Sequence, residues 1–362
     1  MEENIEIEGI ESWGVDATKP VIISGPCSAE TEEQMLNTGK ALAAHGVQIF
    51  RAGIWKPRTR PGAFEGVGSV GLKWLKQVKE ETGMLTATEV ANVKHVYEAL
   101  KSGIDILWIG ARTSANPFSV QEIADALEGV DIPVLIKNPV NPDLDLWIGA
   151  IERISRAGIT KLGAIHRGFS SFEKTKYRNV PQWQVAIGLQ QRIPNLPIIN
   201  DPSHIAGRAD LVFEVSQKAM DLGQDGLIIE SHPNPRVALS DGKQQLTPEQ
   251  VGELMKTIVV RDAKGTNPEF KESLEELRAK IDKIDTEILA AIQERMEVVK
   301  EIGKNKKENN IQILQSDRWA QIVEKTKQKA EATGLSNEFI GTLMKAIHQE
   351  SINIQTEILN SK

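Results

Sequence analysis

LTATEV (85–90), ILWIGAR (106–112), PVLIKNP (133–139) and LGAIHRG (162–168) are four short apolar runs of strand length, with helix-period stretches such as NVKHVYEALKS and LWIGAIERISRAG between them. The alternation extends both ways: VIIS (21–24) and VQIFRAG (47–53) precede it, and PIINDPS (197–203) and GLIIESH (226–232) follow. Helical stretches stop at Gly103, Gly129, Gly158 and Gly223. Strands alternating with helices pair in parallel through right-handed crossovers. Eight such units in roughly 245 residues predict a closed (β/α)8 TIM barrel, with an open doubly wound sheet as the rival.

The chain of 362 residues is longer than that barrel. AKGTNP (263–268) reads as a linker, and from Pro268 onward glycine is sparse and no further proline occurs. Asn267 is a helix cap and Pro268 suits the first helical position. Leu274, Leu277, Ile281, Ile284, Ile288, Ala291, Val298 and Ile302 recur in steps that predict one long helix with a single apolar seam. A second helix is expected from about Ser316 to Ala332, and a third from near Ser336 almost to the end. Three such unequal helices close a core poorly alone, so a homo-oligomer is expected: a dimer through the helical part, or a tetramer. The domains are 1–262, a linker 263–269, and 270–362.

Composition narrows the function. Forty per cent hydrophobic and 26% charged residues describe a folded chain, and 50 acidic against 43 basic residues (net charge −7) argue against a nucleic-acid partner. A single cysteine excludes an internal disulfide framework. No signal peptide and no membrane-spanning run is visible, so a cytoplasmic location is expected, without a membrane partner. About 20 residues precede the first strand, so control by an added N-terminal domain is not expected.

Barrel chemistry sits at the C-terminal ends of the strands. Here those ends carry Arg51, then Lys56, Arg58 and Thr59 of WKPRT, then Arg112, Lys137 and Arg167. Six cations at one mouth of an acidic protein repel one another unless they bind anions, and arginine forks match phosphate and carboxylate. At least one phosphorylated substrate follows. Cys27 after the first strand, Asp201 and His204 after the seventh, and Glu230 and Asp241 of the eighth unit gather at the same mouth. One thiolate, one imidazole and two carboxylates (Cys27, His204, Glu230, Asp241) make a donor set for a borderline divalent metal. Gly66, Gly68 and Gly71 spell a G-x-G-x-x-G, but it follows no strand and reads as loop.

GPCS, RAGIWKPRT, GART, IKNP, HRG, NDPSH and IIESHPNPRVALSD together resemble the type I 3-deoxy-D-arabino-heptulosonate 7-phosphate (DAHP) synthases, over residues 20–260. The resemblance implies condensation of phosphoenolpyruvate with erythrose 4-phosphate: C3 of phosphoenolpyruvate attacks a metal-polarised aldehyde, water adds at C2, and phosphate leaves by C–O cleavage. It implies a divalent ion (Mn2+ first, with Fe2+, Co2+ or Zn2+ as alternatives) on Cys27, His204, Glu230 and Asp241. It gives phosphoenolpyruvate to Arg51, Lys56, Arg112, Lys137 and Arg167, and the sugar phosphate to Arg58 and Thr59. Asn200 and Asp201 border the sugar hydroxyls, and Lys56 donates a proton to the new alkoxide. The 3-deoxy-octulosonate 8-phosphate synthases are the near alternative, and KPRT points to the four-carbon sugar.

In the tail, Arg295 interrupts the seam of the long helix and Ser351 interrupts the stripe of the last one, with Gln355 one turn on. A buried arginine is costly unless paired, which suggests either an internal network or an anion pocket between helices. LRAKIDKIDTEILAAIQERMEVVKEIGKNK and HQESINIQ resemble the all-helical chorismate mutases over about 270–360. The resemblance implies that chorismate rearranges to prephenate without a cofactor, held by Arg278 (from a partner subunit), Arg295, Lys306, Arg318, Ser351 and Gln355, with Lys306 and Gln355 at the ether oxygen. Trp319 and Gln315 stand where many members carry acidic residues. A bifunctional shikimate-pathway enzyme is expected, with prephenate or chorismate as an allosteric feedback inhibitor. The alternative is a tail that only regulates or dimerises.

Overall fold

The structure is a computed structural model, and it describes residues 5–18, 20–56, 62, 64–172, 174–261, 267–314, 321–322, 325–326 and 334–361. The chain divides into two compact units, Met1–Ala263 and Lys264–Lys362. In the first, β1 (Val21–Gly25), β2 (Ile49–Arg51), β3 (Leu85–Val90), β4 (Ile106–Ile109), β5 (Val134–Lys137), β6 (Leu162–His166), β7 (Ile198–Asn200) and β8 (Gly226–Glu230) form a closed parallel barrel in chain order. The register Val21↔Gly226 to Gly25↔Glu230 joins the last strand to the first.

The helices are α1 (Glu32–Ala44), α2 (Val70–Thr82), α3 (Val93–Lys101), α4 (Ala111–Ser114), α5 (Pro117–Ala126), α6 (Leu144–Arg156), α7 (Trp183–Arg192), α8 (Pro202–Ala206), α9 (Val212–Asp221) and α10 (Pro248–Thr257). Their apolar faces bury Leu42, Leu75, Val96, Ile151 and Val215 with the outward strand residues Phe50, Leu107, Ile136 and Ile229. Among the described residues, no helix is long and apolar enough to cross a membrane.

Strand alternation positions the chemistry. Ile23, Ile49, Trp108, Leu135, Ile165, Ile199 and Ile228 fill the barrel interior. Side chains repeat with period two along a strand. Two residues further on stand Gly25, Arg51, Gly110, Lys137, Arg167, Asp201 and Glu230, and they share the inward face at the C-terminal mouth. The opposite end is plugged. Trp13, on the short 3-10 turn Ile10–Trp13, joins the interior cluster. A Cβ on Gly163 would stand 2.7 Å from its ring, so only glycine leaves room for the plug.

In the second unit, α11 (Pro268–Glu308) runs 41 residues, about 60 Å at the helical rise. Asn267 Oδ1 accepts from the Glu269 and Phe270 amides, as its place before Pro268 predicts. The last helix, α12 (Asn337–Asn360), is capped by Ser336. The seam differs from the expectation. Leu277, Ile281, Ile284, Ile288, Val298 and Ile302 stay about half exposed, whereas Met296 and Val299 are buried. Intrachain packing therefore uses the neighbouring stripe, in which Gly303 approaches α12 so closely that a Cβ there would lie 3.0 Å from Ile358 Cδ1 and 3.3 Å from Gln355 Cγ. The helix expected over Ser316–Ala332 lies almost wholly outside the described residues.

Candidate functional site

The mouth of the barrel holds two interleaved charge sets. Arg51 is buried; its guanidinium lies 4.9 Å over the Trp108 ring and donates to Pro26 O at 3.1 Å and Glu230 Oε1 at 3.2 Å. Its Nε is buried and has no partner among the described residues. Lys137 Nζ, 5.9 Å over the same ring, donates to Asp201 Oδ2 at 2.8 Å. The Arg167 NH1 donates to Asn179 Oδ1 at 3.0 Å, and its backbone N–H donates to Asn138 Oδ1 at 2.7 Å. Burial lowers the Arg167 pKa to about 10; Asp201 opposes that shift, while Arg178 and Arg112 add to it. Arg112 lies on α4 with an exposed side chain.

The donor groups meet in pairs. Cys27, fully buried, has Sγ 3.4 Å from Asp241 Oδ2 and 3.1 Å from the Lys56 ammonium. His204 Nδ1 lies 2.8 Å from Asp201 Oδ2, and its Nε2 is 3.7 Å from Glu230 Oε1. Burial first, and then the Glu230 charge, pushes the Cys27 thiol up to about 12. Burial resists ionisation of Asp241, but the Arg178 guanidinium, donating to Oδ1 at 2.9 Å, outweighs it and holds the carboxyl at about 2. Burial likewise opposes ionisation of Asp201, and His204 and Lys137 overcome it. Glu230 is lowered in the same way, by His204, Arg51 and Lys56 against burial.

Arg58 and Thr59 lie outside the described residues. Asn200 differs from the expectation. Its parity on β7 points it away from the mouth, and its Nδ2 donates to buried His166 Nδ1 at 3.2 Å. Asp201 does face the mouth, with both carboxylate oxygens engaged by Lys137 and His204.

In the helical unit, Arg295 NH1 donates to Ser351 Oγ at 2.7 Å, so the two residues that interrupt the apolar stripes meet. Gln355, one turn on, donates to Ser351 O at 3.1 Å, and its Oε1 is buried without a partner. Lys306 Nζ donates to Ile313 O at 2.5 Å, and burial lowers its pKa. Arg278 is elsewhere: it is exposed, pairs with Glu275 at 2.8 Å, and lies 17 residues before Arg295 on the same helix, about 25 Å away. Arg318, with Gln315 and Trp319, lies outside the described residues.

Comparison with known proteins bears on both units. The DAHP synthetase I family matches residues 6–264. The chain belongs to the DAHP synthetase I family. Residues 277–356 match chorismate mutase type II, so the helical unit is a chorismate mutase domain. The phospho-2-dehydro-3-deoxyheptonate aldolase of Thermotoga maritima is 37% identical, over 66% of this chain and 68% of its own. A crystal structure of that aldolase (DAHP synthase) from the same organism aligns with a TM-score of 0.60 at 34% identity, over 66% of this chain and 68% of its own. A truncated form of the T. maritima synthase gives 0.57 at 31%, over 72% and 88%. The 2-dehydro-3-deoxyphosphooctonate aldolase of Vesicomyosocius okutanii is 26% identical, over 67% of this chain and 90% of its own.

A DAHP synthase implies a metal, and the donor set can be tested against one. Among the described residues, no three His, Cys, Asp or Glu side chains converge in the arrangement of a bound ion. The chemistry nevertheless fits. Thiol, imidazole and two carboxylates meet at one mouth, where Glu230 and Asp241 both disfavour the charged thiolate. That mutual repulsion is what a divalent cation would relieve.

Some site residues of this synthase escaped sequence reading. Arg178 bridges Asp241 and Gln244 Oε1 (2.8 Å), and Gln244 Nε2 donates to Glu230 Oε2 at 2.7 Å, so the two carboxylates share a scaffold. Arg178 lies in an irregular segment after β6, where no periodicity marks it. The G-x-G-x-x-G has a structural use: a Cβ on Gly66 would stand 2.2 Å from Ile54 O, and Lys56 N–H donates to Glu65 O at 2.9 Å. These contacts fix the neck of the loop carrying Lys56, as does the Trp55–His95 stack at 4.0 Å.

Proposed function

We propose that the barrel condenses phosphoenolpyruvate with erythrose 4-phosphate to DAHP and phosphate, and that the helical domain rearranges chorismate to prephenate. Residues 1–262 and 270–362 are the two catalytic domains, and 263–269 join them. The carrying observation is the buried, partnerless Nε of Arg51 beside Lys137 over one indole face, a preformed donor site deep in the mouth.

Arg51, Lys56, Arg112, Lys137 and Arg167 hold the phosphate and carboxylate of phosphoenolpyruvate and offset its repulsion from the second anionic substrate. Arg58 and Thr59 take the sugar phosphate. Asp201 orients Lys137 and His204 at the edge where the sugar hydroxyls lie. A divalent ion on Cys27, His204, Glu230 and Asp241, with Mn2+ preferred over Fe2+, Co2+ or Zn2+, would supply Lewis acidity toward the aldehyde. Lys56 stands beside Cys27 and delivers the proton to the new alkoxide. In the mutase site, Arg295, Arg318 and Ser351 hold the carboxylates of chorismate, Lys306 and Gln355 face its ether oxygen, and Arg278 reaches in from a second copy. The half-exposed stripe on α11 supports a homodimer through this helix. A cytoplasmic location belongs to the same reading. Prephenate or chorismate acts as feedback inhibitor of the synthase.

Stripping the metal with a chelator abolishes condensation and Mn2+ restores it; full activity without metal overturns the ligand set. Erythrose 4-phosphate is consumed and arabinose 5-phosphate is not. Saturating prephenate lowers the synthase rate, and an unchanged rate removes the feedback reading.

A further inference from the structure

Glu30 follows Cys27 by three residues, in the turn between β1 and α1, and no role described above uses it. Its side chain is 9% exposed. Oε1 accepts the Leu239 N–H at 2.8 Å. Oε2 stands 3.5 Å from Nε2 of buried His232. Nδ1 of that ring accepts the Asn234 N–H at 3.0 Å, so the ring proton belongs on Nε2, facing Glu30. His232 Nε2 has no hydrogen-bond partner at normal distance.

His232, Asn234 and Leu239 all lie on the loop after β8 that delivers Asp241. One carboxylate therefore touches this loop at both its beginning and its end. Two further ties lie alongside: Ser28 Oγ meets Ser240 Oγ at 2.5 Å, and Gln245 accepts the Cys27 N–H at 3.0 Å while donating to Ser240 O at 2.9 Å. Asp241 itself has φ 48°, a left-handed backbone that a non-glycine residue keeps only when its surroundings hold it. Cys27 and Asp241 are separated by the whole barrel in sequence, and their distance is only as fixed as these two loops are to each other.

We propose that Glu30 is a positioning residue for Asp241: it fastens the loop after β8 to the turn after β1 and so sets the carboxylate against Cys27 before an ion arrives. This rests on the reading of Cys27 and Asp241 as metal ligands. Supporting groups of this kind change metal affinity by roughly ten- to a hundredfold when removed, because the ligand must then be ordered at the moment of binding.

The test is Mn2+ titration of the chelator-stripped full chain, read by electron paramagnetic resonance, with thermal unfolding measured separately. Glu30→Ala weakens Mn2+ binding by about ten- to a hundredfold while the protein stays folded at the assay temperature. Glu30→Gln, whose amide oxygen still accepts from Leu239, loses less. Wild-type affinity in folded Glu30→Ala, or Glu30→Gln as weak as Glu30→Ala, overturns the proposal. Should Glu30→Ala not fold, His232→Phe removes the second tie together with the bond from the Asn234 N–H and leaves the Leu239 tie in place; it weakens binding if the tether acts, and unchanged affinity counts against it. Asp241→Ala separates the two readings: if it too binds Mn2+ like the wild type, the ligand assignment fails rather than the tether.

Discussion

The two units handle buried charge differently. In the barrel, Arg51 meets Glu230 and Lys137 meets Asp201, each pair nearly excluded from solvent. In the helical unit, Arg295 meets no carboxylate among the described residues and donates to the Ser351 hydroxyl and toward Met296 Sδ, the Gln355 oxygen has no partner among them, and Arg278 sits about 25 Å along the helix. Among the described residues, the barrel mouth thus brings cations and carboxylates from many strand ends together, whereas the helical unit joins Arg295, Ser351 and Gln355 and leaves a long apolar stripe of α11 about half exposed. Residues at the strand ends of a closed barrel are brought together by topology; a site drawn from one long helix depends on what packs beside it.

The largest effect should come from unpairing the barrel. Lys137→Met removes one of the two partners of the buried Asp201 carboxylate and should cost about 3 kcal/mol, the low end for a broken buried pair because His204 still meets it, measured by urea unfolding of the barrel transition. A loss under about 1 kcal/mol would erase the contrast, since exposed pairs contribute that much. Arg295→Ala tests the other side. Its chorismate turnover should fall by about a hundredfold, the scale of losing a contact that holds the substrate in its reactive geometry. Its fold should survive, because Ser351 keeps its bond to Ile347 O at 2.7 Å.

A third prediction concerns pH. Burial holds His166 neutral in the barrel wall and depresses its pKa to about 4, from 6.5 when unfolded. The unfolded chain therefore takes up a proton first as pH falls. The stability due to this group is complete above pH 6.5 and is lost progressively toward pH 4, by about 3 kcal/mol. His166→Gln should flatten that part of the stability–pH curve; an unchanged curve would refute it.

The smallest effect on folding belongs to Arg278→Ala, which removes only an exposed pair with Glu275 and should change stability by less than about 0.5 kcal/mol. Yet if the mutase site is shared between copies, this variant alone is inactive, and mixing it with Arg295→Ala subunits restores turnover in the hybrid dimers. No recovery on mixing would place the whole site within one chain.

Much of the barrel was legible because two periods agree. Alternation with helices implied a closed sheet, and reading the strand ends as the site placed Arg51, Lys137 and Glu230 at the mouth, where the step of two beyond Ile49, Leu135 and Ile228 turns them inward. The same rule explains an error. Asn200 lies next to Asp201 in sequence, but one residue of parity sends it into the wall with His166. Arg178 was missed because it lies off the strands, and its partner Asp241 is 63 positions away. The seam of α11 was read correctly as apolar, but a helix can carry two adjacent stripes, and sequence alone does not say which faces its own chain. Glu30, close to Cys27 in sequence, gave no signal because its bonds go to backbone amides and a distant histidine.

Behind Arg51 and Lys137 the barrel offers no passage among the described residues: Trp108, Ile49, Leu135 and the side chains down to Trp13 fill it. The C-terminal mouth is then the way both in and out, and a ligand seated on these two cations would have to arrive before anything bound above it.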